Sequence, residues 1–198
     1  MKKYLYTLLA LGLCIQSAFA MEGLQQYENY LNNLHTLSAD FTQVSSRGQT
    51  STGTIQISRP GKMRLSYNPP SGLVIVADGK WLITQDTHAD EVNYVSLENT
   101  PAAFILRPQV RFGGDVAVTN IIPQEDGTTA ISLVRRDEPD AGYITLVFAD
   151  DPVVLKEWSV MDAQGITTRV VLSNIKSNIP LDAGLFHIES PNLLQQIF

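Results

Sequence analysis

From Ser38 onward the hydrophobic period of the chain drops from about four to two and stays there, punctuated by glycine and proline. Ala39, Phe41 and Gln43 alternate with Asp40 and Thr42, and Ile55 and Ile57 alternate with Thr54, Gln56 and Ser58. Met63, Leu65 and Tyr67 alternate with Lys62, Arg64 and Ser66. Successive side chains of a strand point to opposite faces, so this pattern predicts strands with one apolar face each. The links Arg59-Pro60-Gly61 and Asn68-Pro69-Pro70-Ser71-Gly72 are hairpin turns, and Asp78-Gly79 is a strong two-residue hairpin signal. Further strands are expected near 73–77, 80–85, 92–97, 116–122, 129–136, 142–149, 153–161, 166–175 and 186–190, with turns at Asp126-Gly127 and 162–165. About ten or eleven short strands at hairpin spacing predict an antiparallel barrel or a strongly curved sheet.

Two segments depart from that rhythm. Residues 22–37 place Leu24, Tyr27, Leu31 and Leu34 on one helical stripe, with Gln25, Gln26, Glu28, Asn32 and Asn33 on the opposite, polar face. Thr100-Pro101 reads as an N-cap followed by proline at the first helical position. Ala102, Ala103, Phe104, Ile105 and Leu106 continue that helix, and Pro108 ends it. It is apolar almost all round, so it is expected to be buried or to lie over an apolar cavity. The strands 73–77 and 143–148 are apolar on both faces. Two readings fit them: one face covered by helices while the other lines a cavity, or central strands of an ordinary two-layer core.

Residues 1–20 read as a signal peptide: Lys2 and Lys3, an apolar run from Tyr4 to Ile15, and Ala18-Phe19-Ala20 as the cleavage site. The run is shorter than the ~20 residues of a spanning helix. The remaining 178 residues are expected to form a single exported domain, 21–198, in the periplasm. With 44% apolar residues the chain has enough to build a core, which excludes a disordered chain. The one cysteine, Cys14, leaves with the signal, so no disulfide scaffold is expected. Cleavage leaves 12 basic against 20 acidic residues, a net charge of −8 without basic runs. That argues against nucleic-acid binding, which needs a positive footprint.

Catalytic patterns are not found. His35, His88 and His187 lie far apart, and neither zinc-protease, paired-cysteine, nucleophile-elbow nor phosphate-loop spacing occurs. Asp86, His88, Asp90 and Glu91 have ligand chemistry, but the segment reads as a solvated hairpin loop. No enzyme, cofactor, metal site or catalytic residue is expected.

Several short segments stand in an order that resembles the LolA family of periplasmic lipoprotein carriers. They are Leu37-Ser38-Ala39-Asp40-Phe41-Thr42-Gln43, Ser58-Arg59-Pro60-Gly61-Lys62-Met63-Arg64-Leu65-Ser66-Tyr67, Ala77-Asp78-Gly79-Lys80-Trp81-Leu82 and Asn99-Thr100-Pro101. Later segments, 158–165 and 185–191, fit as well. The resemblance implies a mainly β, α+β fold: a half-open antiparallel β-barrel with a helical lid over an apolar cavity. It implies a monomeric carrier of acylated lipoproteins that receives cargo from an inner-membrane ATP-driven release complex and yields it to an outer-membrane acceptor. It implies that Arg59 latches the lid by hydrogen bonds to lid carbonyls. Met63 and Leu65 match cavity-facing positions, with Phe41, Ile55 and Ile57 expected on the same wall and Phe104, Ile105 and Leu106 in the lid helix. A related half-barrel module binding another lipid or glycolipid, or sensing mislocalised lipoproteins, is the alternative. Residues 192–198 form a short apolar tail, where well-known members carry a longer polar extension.

Overall fold

The computed structural model describes residues 23–188 apart from Asp90. The signal peptide and the C-terminal tail expected from the sequence lie outside the described residues. Helix α1 covers residues 23–33. Six strands follow: β1 (Thr36–Ser45), β2 (Thr50–Ser58), β3 (Lys62–Tyr67), β4 (Leu73–Asp78), β5 (Trp81–Asp86) and β6 (Glu91–Ser96). Helix α2 (Ala102–Leu106) crosses over to β7 (Val116–Pro123), β8 (Thr128–Arg135), β9 (Gly142–Asp150), β10 (Val153–Asp162) and β11 (Thr167–Ser177).

All pairings are antiparallel, in the order β6-β5-β4-β3-β2-β1-β11-β10-β9-β8-β7. Two meanders are thus sewn together along β1 and β11. The eleven strands form an open sheet rather than a closed barrel, and β6 and β7 are its two edges. Bulges curve it. One lies between Ser38 and Asp40 of β1, one between Leu155 and Glu157 of β10, and one between Val118 and Asn120 of β7. Gly53 leaves the space that the Phe41 ring fills, and that ring meets Tyr67 edge-on at 5.1 Å.

The concave face carries the core, in two clusters that Tyr30 and Trp158 both touch. Helix α1 presses Tyr27 and Leu31 into it, and both are buried. The helix stops at residue 33, four residues earlier than its apolar stripe predicts. Asn178, just beyond β11, captures the chain there. Its side chain accepts from the His35 amide at 2.9 Å and donates to the Asn33 carbonyl at 3.1 Å, while its amide donates to the Thr36 carbonyl. The backbone is drawn into β1 before Leu37 can continue the helix.

Helix α2 follows the sequence in place and length but not in its cap. The Thr100 hydroxyl turns back to the Leu97 carbonyl at 2.8 Å, and Pro101 occupies the N-cap position without a side-chain bond. Arg107 is extended, as a residue before proline tends to be.

The last expected strand, 186–190, is not a strand over its described part. Ala183–Phe186 is a 3₁₀ turn, and residues 189 and 190 lie outside the described residues. The turn packs on the outer faces of β3 and β4, where Leu185 O accepts from Arg64 at 3.1 Å. It explains the two-sided β4. Ala77 faces the concave core, whereas Val76 faces outward and is still fully buried, as is Phe186.

Candidate functional site

Two meanders bring their concave faces together under α2, and a gap remains between them. Ile57 of β2 and Met63 and Leu65 of β3 form one wall. Ile144 of β9, Trp158 and Val160 of β10 and Val170 of β11 form the other, and Pro101, Ala102 and Ile105 make the roof. The volume of this gap is about 240 Å³. Among the described residues, no charged side chain lines it. The polar groups that do are few, and two satisfy each other: the Tyr67 hydroxyl donates to Gln43 Oε1 at 2.8 Å. Burial pushes the Tyr67 phenol above its ordinary pKa, so it stays neutral.

A wider cavity of about 830 Å³ opens on the other side of α2. Phe104, Leu106, Val116 and Leu133 form its apolar part, while Glu98, Asp115, Arg135, Asp137 and Glu138 stand at its rim. Thr100, Pro101, Ile144 and Val160 line both spaces. Helix α2 therefore stands between an uncharged inner cavity and a mouth with a charged rim. The carboxylates of Asp115 and Asp137 are held below their ordinary pKa, chiefly by hydrogen bonds from Arg107 and Arg135.

The side chain of Arg59 reaches both helices. Its Nη1 donates to the carbonyls of Leu31 and Leu34, the latter at 3.3 Å, and its Nη2 donates to the Arg107 carbonyl at 2.6 Å. These carbonyls lie at the C-terminal ends of α1 and α2, where the helix dipole favours a cation, and the Leu31 carbonyl also accepts from the Leu34 amide. Burial pulls the guanidinium pKa down from its ordinary value, yet arginine remains protonated at neutral pH. Next to it, the Gly61 amide donates to the Leu106 carbonyl at 2.8 Å. The Arg59-Pro60-Gly61 turn thus holds the last two carbonyls of the α2 end.

Of the residues expected in the cavity, Ile57, Met63, Leu65 and Ile105 line the inner space, and Phe104 and Leu106 face the wider one. Phe41 and Ile55 share that concave face but line neither space. Phe41 is sealed between Gly53 and Tyr67, and Ile55 is fully buried in the packed cluster beneath. The sequence reading does not reach the second wall. Its signal is present in the apolar alternation of β9 and β11, but the partner meander cannot be assigned without the sheet order. Asp86 spends one carboxylate oxygen on the amides of His88 and Ala89, at 2.8 and 3.3 Å, as a turn residue. Asp90 of that cluster lies outside the described residues.

A family model described as outer membrane lipoprotein carrier protein LolA matches residues 32–189. An outer-membrane lipoprotein carrier protein from Bordetella avium is 28% identical, covering 92% of this chain and 90% of its own length. One from Methylococcus capsulatus is 29% identical, covering 83% of this chain and 82% of its own. Among solved structures, an uncharacterized conserved protein from Thermus thermophilus matches in fold with a TM-score of 0.52 at 14% identity. That match covers 87% of this chain and 95% of the other.

Proposed function

The chain belongs to the LolA family, and from that premise we propose that it is a periplasmic carrier which binds the acyl chains of lipoproteins in its concave cavity and shuttles them from the inner to the outer membrane. Residues 1–20 serve as a signal peptide cleaved after Ala20, and residues 21–198 act as one monomeric domain. Cargo comes from an inner-membrane ATP-driven release complex and goes to an outer-membrane acceptor. The observation that carries this reading is the uncharged cavity roofed by α2 and adjoining an open mouth. Burying an acyl chain is worth ~0.8 kcal/mol per methylene, so an anchor crossing water needs such a wall. The inner space is too small for whole acyl chains while α2 is down. Cargo must lift the lid, and part of the binding energy is consumed in doing so. A closed empty state held by Arg59 keeps the carrier from trapping its cargo.

The reading is tested by loading the mature protein with a dipalmitoylated peptide and following transfer to acceptor-bearing vesicles. Mass spectrometry of whatever copurifies separates lipoproteins from free lipid or glycolipid, the rival cargo. Met63→Glu places a carboxylate in the uncharged wall and should cut uptake at least about tenfold. Equal uptake by this variant would remove Met63 from the binding wall.

A further inference from the structure

We propose that Glu28 and Asn32 are positioning residues that bind α1 and α2 into a single lid, so that both helices lift together when cargo enters; this rests on the carrier reading above. Both residues fall on the face of α1 that the sequence assigns to solvent. Instead they clasp the segment between α2 and β7. Asn32 donates to the Val110 carbonyl at 3.0 Å and accepts from the Val110 amide at 2.8 Å. Glu28, one turn earlier, accepts from the Phe112 amide at 2.5 Å. Val110 is fully buried and Phe112 nearly so.

The same segment is fastened to α2 by different bonds. The Phe112 ring stacks on Phe104 at 6.3 Å with 12° between planes. Arg107 pairs with Asp115 at 3.0 Å and lies over the Phe104 ring at 4.7 Å. The segment is therefore a strap bonded to both helices. Among the described residues, the Arg59-Pro60-Gly61 turn is the one place that ties both helix ends to the sheet, through Arg59 to both helices and Gly61 to Leu106. Further bonds hold single parts: Tyr27 of α1 donates to Asp150 at 2.7 Å, Asn178 donates to the Asn33 carbonyl, and the Asp115 carbonyl of the strap accepts from the Arg136 amide. An opening that breaks the turn's bonds leaves the clasps intact, because they join parts of the moving body to each other. Without them, α2 could swing while α1 stayed on the sheet, and the Arg59 bonds to α1 would report nothing about α2.

Three amides separate these two motions. The Gly61 amide bonds across the boundary between lid and sheet, whereas the Val110 and Phe112 amides bond within the lid. Hydrogen exchange measured by NMR on the mature protein should show Gly61 exchanging at least about tenfold faster in Arg59→Leu, with Val110 and Phe112 within about twofold of wild type. In Asn32→Leu, Val110 and Phe112 should lose protection; Asn32→Asp, which keeps the acceptor and loses the donor, should fall between. Should Arg59→Leu fail to fold, the same pattern is expected in the wild type on adding the dipalmitoylated peptide. Loss of protection at Val110 and Phe112 together with Gly61 would overturn the coupling and leave the carrier reading standing. No change at Gly61 in either experiment would overturn the lid itself, and the coupling with it.

Discussion

At the scale of single residues, the most consequential is Arg59. Its bonds tie both helix ends to the sheet, the carrier reading has them break as the lid lifts, and a sheltered hydrogen bond to a charged donor is worth roughly 1.5–3 kcal/mol net. Losing two of them shifts the balance toward the open lid by about a hundredfold or more. Arg59→Leu should therefore bind an apolar fluorescent probe more tightly than wild type but transfer a loaded lipopeptide to acceptor vesicles more slowly. Arg59→Lys should be intermediate, because an ammonium keeps the charge and loses the fork. Unchanged transfer by Arg59→Leu would make it a structural helix cap and nothing more. Gly61 is the second residue of interest. Its φ is +79°, and a Cβ there would stand 2.9 Å from the Gly79 Cα. Gly61→Ala should cost at least about 1–2 kcal/mol in denaturant unfolding and loosen α2 at the same time. The importance of Arg59 came from the resemblance, since a lone arginine at a strand end gives no sign of two helix ends meeting it. The role of Gly61 was not legible at all, because its partner Gly79 belongs to another hairpin.

At the scale of elements, β10 shows how a bulge decides which side chains face the cavity. Leu155 and Trp158 are three residues apart, which in a regular strand sends them to opposite faces. Lys156 is unpaired in the bulge, so Leu155 stands opposite Phe148 and Trp158 opposite Leu146, both on the concave side. Deleting Lys156 puts Leu155 and Trp158 two residues apart, so a regular strand keeps both on the concave side and loses only the extra twist of the bulge. The deletion should therefore cost less than about 2 kcal/mol in denaturant unfolding, below the cost of emptying a large core position, and probe binding should persist. A cost of about 2–5 kcal/mol with loss of probe binding would show instead that one of the two side chains has left the concave face. Period-two arithmetic placed β1, β2 and β3 correctly because those strands hold their alternation along the core-facing stretch. It assigns no face to Trp158, where one unpaired residue resets the phase.

At the scale of the whole molecule, an open eleven-stranded sheet gives its two tryptophans different surroundings. Trp158 lines the inner cavity, while Trp81 is 37% exposed on the outer face of β5. In a Trp81→Phe variant, loading with a dipalmitoylated peptide should therefore shift the remaining emission, because acyl chains replace whatever filled the space beside Trp158. A Trp158→Phe variant should report no shift. The reverse pattern would place the binding surface outside the concave face. Openness matters to this behaviour: a closed barrel would fix the cavity volume, whereas free edges at β6 and β7 and a lid of two short helices allow it to grow.

Local rules on their own determined where the eleven strands lie, that their neighbours are antiparallel, and that the segment 102–106 is an apolar helix, though they also placed at 186–190 a strand that its described part does not form. Alternation, turn residues and proline act over a few positions, so those features are written in the nearest neighbours along the chain. Only the tertiary structure decided the rest. That β1 pairs with β11, that Asn178 ends α1 at residue 33, that the 3₁₀ turn covers Val76, and that Glu28 and Asn32 clasp a strap rather than meet water all depend on contacts between residues about 80 to 150 apart. No local pattern encodes such contacts. They form because one curved sheet has two faces to bury and two helix ends to satisfy, and the chain covers them with whatever segments its topology brings within reach.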